Sequence, residues 1–534
     1  MKKKTAVLII VILISPIIFV VFTNTMGIFD FFTQYDVKYN VNGVIVCNET
    51  ENQYAPQACT DGVGGVIITW YDYRSGEADI YAQRIGPNGN KLWNSSGVAI
   101  CTVEDRQYTP LICSDGNGGA IIVWANGSLT WPNGLYAQRV NSSGDLQWLS
   151  TAVTICDTSS YQDEYEIIAD GEGGAIITWK DYRSPGYGIY AQRVDNDGNI
   201  HSGWNANGEA ICTHGDTVDK PRLTSDGNGG AFIVWEDLRN GGTSTYDIYA
   251  QLINANGVIQ WSIDGEPISN AEHFQLVPQI ISDGEGGAFV AWQDRRGFNY
   301  GTSTDIYVQR VDSDGSIHTG WHLNGTLVCN ENNSQYSVHL CSDGAKGAIL
   351  MWQDARDSGV NGYDIYAQRI NPSGVSQWTN NGTLICGASG NQYVMPIISD
   401  GYGGAIIAWL DYRNNDSDIY SQRISTNGVV QWTANGKEIC TAPEDQYLIK
   451  YWNNYRESIS NNSAGDFVVT WYDSRNDTIS GWDIYAQRVI VPFYETVEDT
   501  FDIIEFLTST YGLLFLAYVI AGVVIIIIIA KKLD

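Results

Sequence analysis

One motif, Trp-x-Asp-x-Arg followed by Asp-Ile-Tyr-Ala-Gln-Arg, recurs along most of this chain and limits what the chain can fold into. A period of about 57 residues, made of short β-type segments and glycine-rich turns, is typical of an array of small sheets. Repetition therefore explains most conspicuous residues as architecture, and function is to be sought where the copies differ. The tryptophans that begin the copies are Trp70, Trp124, Trp179, Trp235, Trp292, Trp352, Trp409 and Trp471.

A single copy reads as four strands joined by tight turns. In the second copy the apolar and alternating segments predict strands A to D over 108–113, 120–124, 135–140 and 153–156. The turn over 114–119 contains three glycines, which suit a backbone with positive φ. Four strands per copy, with no helical pattern between copies, predict the blades of a β-propeller.

The two ends of the array predict how the ring closes. The last copy stops after its strand C, at 487–490, whereas a lone segment resembling strand D, 43–47, precedes the first copy. An N-terminal strand that completes the last blade would remove two unpaired sheet edges. We therefore expect an all-β fold, an eight-bladed β-propeller over 43–490 closed by an N-terminal strand.

The segments outside the repeats have the character of membrane segments. Residues 1–23 carry three lysines before an apolar run, which predicts either a signal peptide or an N-terminal membrane anchor, followed by a linker over 24–42. An acidic juxtamembrane stalk over 491–512 precedes an uncharged stretch, 513–530, long enough for a transmembrane helix. The basic tail at 531–534 should remain cytoplasmic, which places the propeller outside the cell membrane.

Charge and glycosylation motifs agree with an extracellular location. Sixty acidic and thirty basic residues give a net charge of −30, which disfavours binding to nucleic acid. Asn-x-Ser/Thr sequons also arise by chance in turn-rich sequences, so glycosylation is one of two interpretations. The candidate acceptors are Asn48, Asn94, Asn126, Asn141, Asn324, Asn332, Asn381, Asn415, Asn461 and Asn476.

The blade pattern resembles that of sialidase-like propellers with BNR (Asp-box) repeats. The sixth copy reads Trp352-Gln353-Asp354-Ala355-Arg356, then Asp364-Ile365-Tyr366, then Gly374-Val375-Ser376-Gln377-Trp378. Similar repeats occur in prokaryotic surface proteins of unassigned activity. An Asp-box reads Ser-x-Asp-x-Gly-x-Thr-Trp, whereas the turns here are mostly Asn-x-x-Gly or Asn-Gly, so the resemblance implies the fold and not the enzyme activity.

The repeated charged pairs favour a structural interpretation over a catalytic one. Seven copies carry both the Asp and the Arg of Trp-x-Asp-x-Arg, and a catalytic group would occur once. Two Asp-x-Asp-Gly turns are candidate calcium ligands, and Ca²⁺ is the only cofactor candidate. Equivalent turns in other copies lack carboxylates, so we favour plain hairpin turns. The four residues are Asp195, Asp197, Asp312 and Asp314.

Ten cysteines in an extracellular chain raise the question of disulfides. Three pairs stand 12 residues apart, for example Cys101 and Cys113, but one member of each belongs to an outer strand D and the other to the next inner strand A. About three strand spacings of ~4.8 Å separate those strands, too far for a bridge. We therefore favour free, buried thiols.

The loops that differ between copies are the candidate ligand-binding region. Strand A should line the channel, so the D–A and B–C loops share one face. The structural alternative for the recurring Gln-Tyr pairs is that the tyrosine packs between blades and the glutamine closes the loop. The candidates are Gln53, Tyr54, Gln107, Tyr108, Gln335, Tyr336, Gln392, Tyr393, Gln446 and Tyr447, with Phe298, Tyr300 and Tyr363 on the longer B–C loops.

We expect a membrane-tethered binding, adhesion or scaffold module for an extracellular glycan or protein, and favour a non-enzymatic role. The alternative is a glycoside-active enzyme of sialidase-like type. A unique carboxylate cluster in the channel mouth would favour the enzyme. A mouth lined only by residues that recur in every copy would favour binding.

Overall fold

A computed structural model describes residues 42–490 except 128–131, 149–151, 184–185, 216, 241–244, 297–302, 415, 448–458, 462–465 and 476–480. It also describes the backbone of β1 (Ile9–Ile14) and β2 (Ile17–Phe22), which pair in an antiparallel hairpin. The linker, the stalk, the predicted transmembrane helix over 513–530 and the cytoplasmic tail lie outside the described residues. No helix long and apolar enough to span a bilayer occurs in the described part of the chain.

Eight antiparallel sheets follow one another from residue 44 onward, and each is one blade. A strand β3 (Val44–Cys47) precedes the first complete blade. Blade 1 consists of β4 (Gln53–Thr60), β5 (Val66–Asp72), β6 (Asp79–Ile85) and β7 (Val98–Cys101), and blade 2 of β8 (Gln107–Ser114), β9 (Ala120–Gly127), β10 (Pro132–Val140) and β11 (Val153–Cys156). Blade 3 consists of β12 (Gln162–Ala169), β13 (Ala175–Asp181), β14 (Gly188–Val194) and β15 (Glu209–Cys212), and blade 4 of β16 (Val218–Ser225), β17 (Ala231–Asp237), β18 (Asp247–Ile253) and β19 (Glu266–Ser269). Blade 5 consists of β20 (Gln275–Ser282), β21 (Ala288–Asp294), β22 (Asp305–Val311) and β23 (Thr326–Cys329), and blade 6 of β24 (Gln335–Ser342), β25 (Ala348–Asp354), β26 (Asp364–Ile370) and β27 (Thr383–Cys386). Blade 7 consists of β28 (Gln392–Ser399), β29 (Ala405–Asp411), β30 (Asp418–Ile424) and β31 (Lys437–Cys440), and blade 8 contains β32 (Gln446–Tyr447), β33 (Ile459–Asn461), β34 (Phe467–Asp473) and β35 (Asp483–Val489).

The predicted closure of the ring is confirmed. Strand β3 pairs antiparallel with β35, with Val44 opposite Ala486, and supplies the outer strand of blade 8. The chain therefore forms an all-β, eight-bladed propeller. The predicted strands of the second copy agree with β8 to β11 to within three residues at each end.

The core lies between successive blades. Every residue of β5, β13, β17, β21, β25, β29 and β34 is buried, because the second strand of a blade is covered on both faces by its neighbours. The tryptophan of each second strand is fully buried. Apolar clusters join residues of adjacent blades, so each blade depends on the next for burial of its apolar surface.

The face formed by the A–B and C–D turns carries a repeated latch between blades. In blade 1 the Asp61 carboxylate accepts hydrogen bonds from the turn amides of Val63 and Gly65, and the Arg84 guanidinium pairs with it at 2.9 Å. Arg84 and Trp93 both donate to the carbonyl of Ser142 in the next blade. Equivalent arginine bonds join blade 2 to 3, 3 to 4, 5 to 6, 6 to 7 and 8 to 1. The repeated charges of this face are therefore structural.

Candidate ligand-binding site at the channel mouth

The Trp-x-Asp-x-Arg residues form a buried network and not a reactive centre. In blade 6 the indole Nε1 of Trp352 donates to Asp354 at 2.8 Å, and Arg356 donates to the same carboxylate. The guanidinium also stacks over Tyr366, at 3.7 Å from the ring centroid, and reaches the Cys329 sulfur of the preceding blade at 3.3 Å. The Asp354 carboxylate is wholly buried, and both of its oxygens accept hydrogen bonds from Trp352 and Arg356. This supports the structural interpretation of the repeated Asp–Arg pair.

The ten cysteines are free, buried thiols, as the strand spacing indicates. Burial raises the pKa of Cys47, Cys329 and Cys386 to about 12, so these thiols stay protonated at neutral pH. Cys47, at the end of the outer strand of blade 8, therefore places a small thiol against Asp72 and Arg74 of blade 1.

One of these junctions contains an extra histidine that the sequence analysis missed. The ligand atoms of Cys212, His214 and Asp237 lie within 4.8 Å of one another, the only such trio in the described residues. His214 Nε2 lies 3.1 Å from Asp237, and the hydrogen bond raises the histidine pKa. Arg239 already pairs with Asp237 and donates to the Cys212 sulfur. A guanidinium between the ligands repels a cation, so the trio does not constitute a metal site.

The predicted calcium residues form ordinary turns. Asp195 accepts the backbone N–H groups of Asp197 and Asn199, as Asn141 and Asn254 do in their own turns. Asp314 likewise accepts the amide of Ser316, and Asp312 binds the ring of His318 at 2.6 Å. The carboxylates of Asp195, Asp312 and Asp314 are thus used within their own turns.

The predicted sequons divide into exposed and engaged side chains. Asn48, Asn94 and Asn332 are exposed. Four less exposed sequon residues accept hydrogen bonds through their amide oxygens, as the exposed Asn94 also does from the N–H of Ser96, and they are Asn126, Asn141, Asn324 and Asn381. Asn415, Asn476 and the side chain of Asn461 lie outside the described residues. The exposed three are the better acceptors for a glycan.

The glutamines of the Gln-Tyr pairs are not available to a ligand. Gln53, Gln107, Gln335, Gln392 and Gln446 are fully buried, and each amide donates to carbonyls of its own D–A loop, for example Gln53 to Glu51 at 2.7 Å. Their prediction as ligand-binding residues is corrected on this point: the glutamines close the loops. Their side-chain oxygens have no hydrogen-bond partner, which bears on stability below.

The tyrosines of the same pairs do come together at the D–A end of the inner strands. A first aromatic cluster spans blades 8, 1 and 2, with ring centroids 5.0–6.5 Å apart, and comprises Tyr54, Tyr71, Tyr73, Tyr108, Tyr447, Tyr472 and Trp482. A second aromatic cluster spans blades 6 and 7 and comprises Tyr336, Tyr363, Tyr393 and Tyr412. Several of these rings are partly exposed, as a stacking surface requires. Phe298 and Tyr300 lie outside the described residues.

Blades 3 and 4 replace these aromatic residues with charges. Lys180 pairs with Asp219, Lys220 pairs with Glu236 at 3.0 Å, and Tyr246 donates to Asp219. The equivalent positions in blade 1 hold Tyr54, Ala55 and Tyr71, so these charges do not recur. We call this set the charged cluster: Asp163, Glu164, Lys180, Asp219, Lys220 and Glu236. It was not predicted, because the partners are up to 56 residues apart in the sequence.

A bulge in the inner strands of blades 1 to 6 shapes the charged cluster. The strand register shifts after its second residue, and the third residue has positive φ in blades 1 to 6, for example 53° at Lys220 and 54° at Val277. The bulge turns the N–H of that residue toward the preceding blade. Glu164 accepts the N–H of Lys220 at 2.6 Å, and Glu236 accepts that of Val277 at 2.6 Å.

Two carboxyl groups of the charged cluster have perturbed acidity. Burial, together with the charge of Glu164, raises the pKa of Asp163 to about 6. Burial also raises the pKa of Glu236, although Lys220 opposes the shift. Tyr182 donates to one Asp163 oxygen at 3.0 Å, and the other oxygen is buried without a partner. Such values occur at functional sites, and structural ion pairs produce them too.

The channel behind the mouth is narrow and mixed in polarity. A cavity of 170 Å³ is lined by the inner strands of blades 1 to 7. One position of these strands holds six different residue types in seven blades, with Gln57, Leu111, Glu166, Arg222, Gln279, His339 and Pro396. Arg222 pairs with Glu166 at 3.1 Å. Burial and the Arg222 charge lower the pKa of His339 to about 4, so this ring is neutral at physiological pH.

Comparisons with known proteins add no functional assignment. No protein-family model and no curated protein matches the chain. An α-L-arabinanase of Penicillium chrysogenum, solved with arabinobiose, is 12% identical, covering 63% of this chain and 99% of that one with a TM-score of 0.33. A eukaryotic initiation factor is 9% identical over 85% and 94%, with a TM-score of 0.40. A thermostable family-43 glycoside hydrolase is 11% identical over 53% and 96%, with a TM-score of 0.29. The sialidase-like resemblance is not confirmed, and likeness this low carries no inference about activity.

Proposed function

We propose that this protein is a membrane-tethered extracellular propeller that binds a glycan at the channel mouth. The observation that carries the proposal is where the copies differ. The Trp-x-Asp-x-Arg network and the turn latches recur with few exceptions, whereas the D–A end of the inner strands has aromatic clusters in some blades and charges in others. Partly exposed rings beside hydrogen-bonding groups suit a sugar, which presents apolar ring faces and hydroxyl groups.

The membrane location rests on the sequence features at both ends of the chain. The uncharged 18-residue stretch and its basic tail support a cytoplasmic C-terminus, and three exposed sequons support an extracellular propeller. A tethered propeller of this kind would serve in adhesion or as a scaffold. A protease-protection assay on intact cells tests the topology: propeller peptides should be released from outside, and their protection would contradict it.

Residues 43–490, secreted without the terminal segments, should be screened against a glycan array and against cell-surface proteins. We expect saturable binding to one class of glycans. Binding to proteins alone would replace the glycan with a protein partner, and no binding to either panel would contradict a binding role at the mouth.

A second candidate function is glycoside hydrolysis, and the charged cluster favours it. Its carboxylates occur in two blades only, and glycosidases use a pair of carboxylates of which one has a raised pKa. Asp163, with a pKa of about 6, fits the acid of such a pair. Against this, Asp219 and Glu236 are each held by a lysine. Product release from bound glycans, abolished in Asp163→Asn, would support hydrolysis; unchanged glycans after prolonged incubation would leave the binding role.

A further inference from the structure

We propose that a second cavity at the mouth, beside blades 4 to 6, is a binding site for a compact oxyanion: a carboxylate, sulfate or phosphate group. The cavity has a volume of 240 Å³ and is lined by three cationic side chains, Lys220, Arg222 and Arg295. The other lining residues are neutral side chains that include Gln279, Gln293, Tyr336, Ser337 and His339. None of the described lining residues is an aspartate or glutamate, in a protein whose net charge is −30.

Arg295 is the residue that most requires a partner. Every other arginine in the described part of the chain has a carboxylate within 4.0 Å, whereas Arg295 has none there. Its Nε is buried without a hydrogen-bond partner, and its guanidinium lies 5.5 Å from the ring centroid of Phe274. A buried donor without an acceptor costs free energy, which a bound anion would recover.

The other two cations are held in place with hydrogen-bonding capacity left over. Lys220 is fixed by Glu236, and Arg222 is fixed by Glu166 and by the carbonyl of Pro221. A lysine has three donors and an arginine five, so each can still bind an anion. Neither Glu236 nor Glu166 lines this cavity.

In blades 1 to 7 no other copy has a cation at the position of Lys220 or of Arg222, and no other copy among all eight has one at the position of Arg295. The equivalents of Lys220 are Ala55, Thr109, Glu164, Val277, Ser337 and Val394. The equivalents of Arg222 are Gln57, Leu111, Glu166, Gln279, His339 and Pro396. The equivalents of Arg295 are Tyr73, Gly127, Tyr182, Leu238, Ala355, Tyr412 and Ser474. Blade architecture therefore does not require them. Their convergence on one cavity is a property of this sector alone.

Size and screening decide what the site can hold. Ligand pockets for drug-sized molecules begin at about 300 Å³, so 240 Å³ suits a small anionic group and a few waters. The negative charge of the whole protein is screened over about 8 Å at physiological ionic strength, and the three local cations then dominate. Nothing in the proposal depends on glycan binding by the aromatic clusters, so either one can fail alone.

The test is calorimetric titration of the full-length protein in detergent with sulfate, inorganic phosphate and glucuronate, at an ionic strength matched with sodium chloride. We expect at least one of them to bind saturably. Arg295→Gln should weaken binding tenfold or more, and Arg295→Lys should weaken it less. Preference for glucuronate would identify a carboxylate ligand, and preference for phosphate or sulfate an esterified one.

The matched control is Arg106→Gln, which removes an exposed arginine that is paired with Glu77 and lies outside this cavity. It should leave binding unchanged. A second readout is the pKa of His339 by NMR, which a bound anion should raise. No binding of any of the three anions to the native protein, or equal binding by Arg295→Gln and native protein, would overturn the proposal.

Discussion

At the residue scale, the aspartate that begins the third strand of a blade differs chemically from that of Trp-x-Asp-x-Arg. Asp354 is held by Arg356, whereas one oxygen of Asp364 is buried without a partner. The oxygen of the Gln392 side chain is also unpartnered, and the Gln392 N–H donates to the carbonyl of Tyr363, directly before Asp364. Burial and neighbouring carboxylates raise the pKa of Asp364 to about 6. The Asp364 carboxyl group therefore binds its proton more tightly in the folded protein than in the unfolded chain.

Asp364→Asn should therefore change stability in a pH-dependent way. Because the folded pKa lies above the ordinary value of 3.8, the folded state loses stability as pH rises from 4 through 6. The amide cannot ionise and supplies donors, so the free energy of unfolding should rise by about 1–2 kcal/mol at pH 8 and stay unchanged at pH 4. Denaturant unfolding at the two pH values measures this. Asp354→Asn, the control, should lose about 3–5 kcal/mol at pH 8 because Arg356 is left buried and unpaired. An equal change in the free energy of unfolding at pH 4 and pH 8 would contradict the raised pKa of Asp364.

At the element scale, strands and turns were predictable, and the bulge of the inner strand was not. The repeated spacing and the period of two predict the four strands of a blade, because each copy buries the same positions. The residue with positive φ in the bulge is never a glycine, so no turn residue marks the bulge in the sequence. The charged cluster was also not predictable, because its Lys180–Asp219 ion pair joins two different blades. The same holds for the contact between His214 and Asp237, which belong to neighbouring blades. Only the departure of these residues from the repeat signalled them.

Val277→Gly should stabilise the fifth inner strand. Val277 has φ 54°, a conformation that a β-branched residue adopts at a cost of about 1–3 kcal/mol. Glycine relieves this strain but loses about 0.5–1 kcal/mol of backbone entropy. The net gain in the free energy of unfolding is therefore up to about 2 kcal/mol, measured by denaturant unfolding. The control Val338→Gly, at a buried residue of the next inner strand without positive φ, should be destabilising. Loss of stability in both variants would show that the bulge is unstrained.

At the scale of the whole molecule, closure of the ring depends on a strand from the other end of the chain. Deletion of residues 1–47 removes β3 and exposes the edge of β35, whereas deletion of 1–41 keeps the pairing. We expect the first variant to lose its cooperative thermal transition and to associate through the free edge, and the second to melt as one ring. Calorimetry and sedimentation distinguish them. Similar cooperative melting in both variants would mean that the seven complete blades suffice.

The central claim is that the ligand binds where the blades differ, at the mouth, and not on the repeated face opposite. Binding of the full-length protein to a glycan array tests this most directly, with two double variants beside the native protein. Tyr336→Ala/Tyr393→Ala removes two rings of the second aromatic cluster, and Val375→Ala/Val429→Ala removes two exposed side chains from turns of the opposite face. The account predicts at least tenfold weaker glycan binding, ~1.4 kcal/mol, in the tyrosine variant and native binding in the valine variant. Native binding by the tyrosine variant, with loss in the valine variant, would contradict it.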